Sequence, residues 1–351
     1  MIPVIRTARG TGHAFVIALL LALLVASVVL GVTVGVVRLP YFGTMRVIAA
    51  KLIPWVGAGD AAGMHEAIVW TIRMPRVLIA GIAGFALAVS GAAMQGLFKN
   101  PLASPGITGV SSGASLGAAI AILLGYQVMS PWLVPAGGFA GALAAAAIVY
   151  ALATERGKTD PATLLLAGVA VSAFSSAVLS GIYQFTDDVV MREIVYWLMG
   201  NLTGKRWEHV TTVGPIVLLG SAALMTLGTE LNMLAAGEDD ARAMGVDTER
   251  VKRRTLGLVA VVTGAAISVV GLIGFVGLIV PHAMRTIVGP DHRRLLPASG
   301  LLGASFLILC DVLARVLFAP IELQTGIVTA FFGVPFFLVL LVRRREMIGW
   351  R

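Results

Sequence analysis

Charge is what this 351-residue sequence has least of: 13% of its residues are Asp, Glu, Lys or Arg, against 58% apolar. A water-soluble chain of that size could not hide so much apolar side chain in one core. Long uncharged runs recur along the whole length, so the solvent they require is lipid. Cysteine is nearly absent as well. The single Cys310 sits inside an apolar run, which excludes a disulfide framework and a cysteine-based metal site. Histidine is sparse too (His13, His65, His209, His282 and His292), with no H-x-x-x-H pair and no carboxylate at ligand spacing. No metal site is assigned, and His282 beside Pro281 reads as a packed side chain. Also missing is a phosphate-binding loop. Gly157-Lys158-Thr159 imitates the end of one, but Leu152 stands where its first glycine is required and no strand precedes it.

What is abundant is glycine, 41 residues, the composition that lets membrane helices approach closely where lipid gives no hydrophobic drive for association. The net charge of +8 comes from basic residues set in short breaks between apolar runs. That is orientation charge rather than a nucleic-acid footprint. The first run, 14–37, exceeds the roughly 7–15 residues of a signal-peptide core and reads as a retained span.

Nine apolar runs follow by hydropathy: 14–37, 77–98, 105–125, 132–153, 161–185, 209–228, 255–289, 295–317 and 322–342. As one helix, 255–289 would measure about 52 Å, against a hydrocarbon core of about 30 Å. Gly271, Gly274 and Gly277 crowd its middle and Pro281 follows, so it divides near Gly271–Gly274 into two elements. Arg6 and Arg9 at one end, and Arg343, Arg344, Arg345 and Arg351 at the other, put both tails in the cytoplasm. That demands an even count: an all-α membrane protein of ten spans. In this arrangement seventeen Lys and Arg residues fall inside and nine outside. No linker divides the chain, so one transmembrane domain covers 1–351, with its membrane region at 14–342. Ala86, Val89, Gly91 and Pro101 recur as Ala266, Val269, Gly271 and Pro281, an echo open to chance or to an internal repeat.

The segment 229–254 is the longest cytoplasmic excursion. Glu238, Asp239 and Asp240 fill the first turn of a short helix that also holds Ala241, Arg242 and Met244, and Gly245 is placed to close it. So short a helix is marginal alone in water. It is either a solvated loop with incidental helicity or a peg for a cytoplasmic partner. Asn100-Pro101-Leu102 reads as a helix stop. Arg73 and Arg76 flank Pro75 at the outer mouth of a span, as interface anchors or as a docking point. Residues 185–207 are aromatic and amphipathic, an interfacial helix. Asp311 and Arg315, four apart near the outer end of a span, read as a buried pair. Acids near span ends argue against an ion-coupled secondary transporter, which needs carboxylates at mid-membrane. Asp187-Asp188 and Glu238-Asp239-Asp240 lie outside the spans and lack the further acid that an intramembrane metal-diphosphate enzyme needs.

Several long motifs, in order, resemble the FecCD-like permeases, the membrane subunits of type II ABC importers for iron chelates, haem and cobalamin. These are Ser90-Gly91-Ala92 with Gln95 and Lys99–Pro105; Leu231–Leu234 with Gly237-Glu238, Ala241-Arg242 and Met244-Gly245; and Ile273–His282 with Arg285 and Asp291-His292-Arg293. Asp311, Ala314-Arg315, Glu322 and Gly333–Phe337 continue the match, while Thr108 and Gln324 depart from the usual Leu and Pro. The resemblance implies ten spans and a homodimer in the bacterial cytoplasmic membrane, served by two ATPase subunits that use ATP and Mg²⁺ and by a periplasmic-type binding protein. No cofactor of this chain's own is implied. Glu238, Asp239, Ala241, Arg242, Met244 and Gly245 then become the ATPase-coupling segment. Asn100, Leu102, Asp160 and Pro161 lie at the inner gate, and Arg73 and Arg76 at binding-protein docking. In haem permeases an Asp-Asp-x-x-Leu-Arg precedes Trp-x-Met-Gly with its arginine facing the cavity. Arg192 matches that position, with Met191 in place of Leu. The cargo expected is therefore haem or a ferric siderophore, with cobalamin as the alternative.

Overall fold

Apolar segments in lipid must satisfy every backbone N–H and C=O internally, and helices do so within a single segment. In a computed structural model, which describes residues 11–35, 37, 39–53, 55 and 63–348, nearly every apolar run is a helix. The first, α1 (Thr11–Thr33), is followed by two short helices, α2 (Tyr41–Leu52) and α3 (Met64–Glu66). The latter runs through a π-helical stretch, Ala67–Arg73, into α4 (Met74–Leu97). A non-helical stretch with one 3₁₀ turn, Pro105–Thr108, leads to α5 (Val110–Leu123), α6 (Tyr126–Met129) and α7 (Leu133–Ala153). A small antiparallel hairpin, β1 (Thr154–Glu155) with β2 (Lys158–Thr159), then turns the chain into α8 (Pro161–Phe185). Next come α9 (Asp188–Leu198), α10 (Trp207–Thr226), α11 (Gly228–Ala236), α12 (Glu238–Ala243) and α13 (Thr248–Val270). The last three are α14 (Val276–Val288), α15 (His292–Val316) and α16 (Thr325–Ile348).

Seven of these helices have the length and apolarity to cross a bilayer, and three shorter apolar ones, 110–123, 276–288 and 325–339, complete ten. The ends alternate. Arg73, just before α4, donates to the carbonyls of Val32 and Thr33 at the end of α1, and Arg76 reaches Asp311 near the end of α15. At the other face Gly228, opening α11, lies against Arg293, and Thr159 bonds Glu249 at the start of α13. Most basic residues collect on this second face, which is therefore the inner one. Both α1 and α16 have their terminal ends there. Arg6, Arg9, Arg38 and Arg351 lie outside the described residues.

The long run 255–289 does divide. Gly271 takes φ 73 at the end of α13, and α14 restarts at Val276 after a short non-helical segment. One boundary differs. The apolar run beginning at 77 is the inner part of a helix that starts at Met64, because Arg73 and Arg76, which masked its outer turns, are hydrogen-bonded inside the protein. Of the echoed positions, Ala86 and Val89 in α4 match Ala266 and Val269 in α13 as helix, whereas Gly91 is inside α4 while Gly271 ends α13, and Pro101 follows a helix while Pro281 lies within one.

The core is built around α4, which is buried over most of its length against α10, α13, α14 and α15. Glycine makes that possible. A Cβ at Gly91 would lie 1.9 Å from the carbonyl oxygen of Gly277, so only glycine lets the backbones of α4 and α14 touch. By contrast α1, α7, α8 and α10 bury only about a fifth to a third of their residues.

Candidate functional site: the inner face and the outer mouth

On the inner face the cytoplasmic excursion folds as two helices. The nine-residue α11 carries Asn232, whose amide donates to Asp291 at 2.6 Å and accepts the backbone N–H of His292 at 2.8 Å, fixing α11 to the start of α15. Burial pushes the Asp291 carboxyl up, but the bonds from Asn232 and the Arg293 N–H, with the nearby Arg293 and Arg294, leave it below its ordinary value. The six-residue α12 follows. Its end is closed by a Gly245 N–H bond to the Arg242 carbonyl and a Val246 N–H bond to that of Ala241, with Gly245 at φ 86.

The coupling residues expected from the sequence do not all point the same way. Asp239, Asp240, Arg242, Met244 and Gly245 are exposed, and Met244 leaves 55% of its surface to solvent. Ala241 is fully buried and forms the underside of the helix. Glu238 turns inward, bound by Arg242 and by Lys252 at 2.9 Å. What a partner would meet is therefore an acidic and apolar cap made of Asp239, Asp240 and Met244.

The expected gate positions lie nearby in two turns. Asn100 accepts the N–H of Leu102 at 3.0 Å, a local turn that ends the descent of α4 and begins the climb to the 3₁₀ segment. Asp160 caps α8, accepting both the N–H and the hydroxyl of Thr163 at 2.7 Å, and these bonds hold its carboxyl below the ordinary value. Pro161 is the first residue of that helix, where its missing N–H costs nothing. Packing links the two turns. A Cβ at Gly168 of α8 would meet the carbonyl oxygen of Ile107 at 1.8 Å, and Ser112 and Ser172 share a 3.1 Å hydrogen bond between α5 and α8.

At the outer mouth Arg73 and Arg76, expected from the sequence as interface anchors or docking residues, both turn inward. Arg73 is 6% exposed and donates to the carbonyls of Val32, Thr33 and Val37, while Arg76 is 7% exposed and grips Asp311 and Glu322. Asp311 also receives Arg315 at 3.2 Å, and Arg315 donates in turn to the carbonyls of Gly31 and Val34. These guanidiniums tie α1, α4, α15 and the approach to α16 together.

The outer amphipathic segment is α9. Asp187 caps it through the N–H groups of Val189 and Val190, each at 3.0 Å, which explains the paired acids as helix chemistry. Arg192 projects from α9, exposed and without a partner among the described residues. Beside α9 a cavity of about 380 Å³ is lined by Gln127, Glu193, Tyr196, Asn201, Lys205 and His209. Two clusters escaped the sequence reading, Arg76–Asp311–Glu322 and Lys252–Glu238–Glu249. The only hints in the sequence are the i, i+4 spacing of Asp311 and Arg315 beside the first and the i, i+3 spacing of Glu249 and Lys252 within the second.

Comparison with known proteins agrees with this architecture. The FecCD transport family matches residues 22–343. The cobalamin import system permease BtuC of Halobacterium salinarum is 51% identical over 80% of this chain and 75% of its own length. The hemin transport system permease HmuU of Yersinia pestis is 40% identical over 79% of this chain and 84% of its own. A solved metal-chelate-type ABC transporter in an inward-facing conformation superposes with a TM-score of 0.79 at 30% identity, covering 94% of this chain and 99% of that one. The chain belongs to the FecCD transport family and is the multi-pass permease subunit of an ABC importer.

Proposed function

We propose that two copies of this chain enclose the path of a bulky metal chelate across a bacterial cytoplasmic membrane, and that the cargo is an iron complex, haem or a ferric siderophore. ATP and Mg²⁺ are bound by two separate ATPase subunits that dock on the exposed cap of α12. A periplasmic-type binding protein delivers cargo to the opposite face. The observation that carries the cargo reading is Arg192. It is an exposed guanidinium on the outer face with no partner among the described residues, and a guanidinium pairs with a carboxylate through two parallel hydrogen bonds. Two copies would present two such groups to a flat dianion. Cobalamin is the second reading, favoured by the higher identity to the Halobacterium salinarum cobalamin permease than to the Yersinia pestis hemin permease, 51% against 40%.

Uptake by the reconstituted complex separates them. Arg192→Ala should lower haem uptake several-fold while assembly and basal ATP hydrolysis persist, because each charged hydrogen bond contributes on the order of 1.5–3 kcal/mol. Arg192→Lys should recover only part, since an ammonium lacks the planar two-point contact. Haem uptake unchanged in Arg192→Ala, or cobalamin transported and haem not, would overturn the iron reading.

A further inference from the structure

Lys252 is a lysine where the packing alone would accept a methionine. It lies on the inner turn of α13 with 3% of its surface exposed, and all three donors of its ammonium are used. They go to three different elements: Glu238 Oε1 at the start of α12, Glu249 Oε1 on α13 and the Thr159 carbonyl at the end of β2, each at 2.9 Å. The other oxygen of Glu249 accepts the Thr159 N–H at 2.8 Å, so both backbone groups of that residue are clamped by this cluster. Beyond Thr159 the chain has no slack. The Asp160 N–H bonds back to the Ala153 carbonyl, the Asp160 side chain caps α8, and Pro161 fixes the first backbone angle of the helix.

We propose that Lys252 is the positioning residue that makes α12 and the start of α8 move as one body, so that a displacement of α12 by its cytoplasmic partner is delivered to the Thr159–Pro161 turn. The inference rests on the reading of α12 as the ATPase-docking segment. The path is short and stiff. It runs from Glu238 through one ammonium to the backbone of Thr159, then along α8, whose Gly168 touches the Ile107 carbonyl in the segment that follows Asn100 and Leu102. A surface ion pair would stretch and exchange with water. This ammonium is shielded from water and shared among three acceptors, so sliding one element past another breaks a bond that nothing replaces.

The test uses the whole complex of permease and ATPase in lipid nanodiscs, with a spin label at Lys158→Cys in each copy. The distance between labels is read with and without trapped nucleotide, beside transport per ATP hydrolysed. In the wild-type background the distance shifts with nucleotide. Lys252→Met should leave ATP hydrolysis running, abolish that shift and lower transport per ATP about ten-fold, and Lys252→Arg should restore most of both. Wild-type coupling and an intact shift in Lys252→Met would overturn the proposal. Should Lys252→Met not assemble, Glu249→Gln loosens the same tie while sparing the bond to Glu238, and the same two outcomes decide. A label that never responds to nucleotide in the wild-type background would instead sink the docking and gate reading, and this inference with it.

Discussion

Asp311 accepts from Arg76 on one side and Arg315 on the other, with the Thr325 hydroxyl at 3.2 Å, and it is 1% exposed. One carboxylate thus compensates two buried guanidiniums inside an apolar bundle, helped at the rim by Glu322. Removing a single partner of a buried charge cluster leaves an uncompensated ion, a loss of roughly 3–5 kcal/mol. Asp311→Ala should therefore lower the thermal transition of the detergent-solubilised protein sharply, whereas Glu322→Ala, which removes a carboxylate that is itself partly exposed and leaves Arg76 paired with Asp311, should cost much less. Equal melting of the two variants would contradict the ranking. The Asp311–Arg315 half of this cluster was legible from spacing along one helix. Its Arg76 half was not, because the partners lie on different helices and no periodicity joins them. For the same reason Arg73 and Arg76 read as surface residues. A guanidinium beside a proline at a span end looks alike whether it faces water or the carbonyl ends of another helix.

At the scale of the element, the sequence disclosed helices wherever lipid imposes one solution and lost precision where protein replaces lipid. The break between α13 and α14 was readable because a run of that length cannot fit a bilayer and its glycines mark the turn. The start of α4 was obscured by charges that the fold itself neutralises, and α11 went unrecognised because its apolar face is short and interrupted by Glu230 and Asn232. The helix α12 was anticipated from its acidic first turn and its closing glycine, but which side chains face outward depends on where α13 lies. Gly245 holds the left-handed angle that ends α12 in a Schellman-type closure. A β-branched residue there costs about 1–2 kcal/mol, a five- to thirty-fold shift in the population of the closed turn. Gly245→Val should reduce co-purification of the ATPase and uptake by a similar factor while the membrane bundle stays folded. Full ATPase recovery with normal uptake would remove α12 from the docking surface.

The whole molecule is asymmetric in how it treats its surface. Helices α4, α13 and α15 are covered on most sides, while α8 leaves Leu166, Val169 and Phe174 exposed and α16 leaves Phe331 and Leu338 exposed. Exposed apolar residues within spans satisfy either lipid or another chain. The half-buried turn at Asn100–Leu102 lies close to α8, against which the neighbouring Ile107 packs. If two copies meet along a common axis, that turn is placed to close the inner end of the path they share. Cysteines placed there would report on closure, and the background is clean because the native Cys310 is 2% exposed. Asn100→Cys is the poorer probe, since it deletes the side-chain oxygen that holds the Leu102 N–H and so perturbs the turn it is meant to report on. Leu102→Cys keeps that bond, because only its backbone takes part. It should form a disulfide between the two copies in one nucleotide state and lose it in the other, read as a dimer band on a non-reducing gel. Crosslinking at the same rate in every state would show that the turn ends a helix and gates nothing.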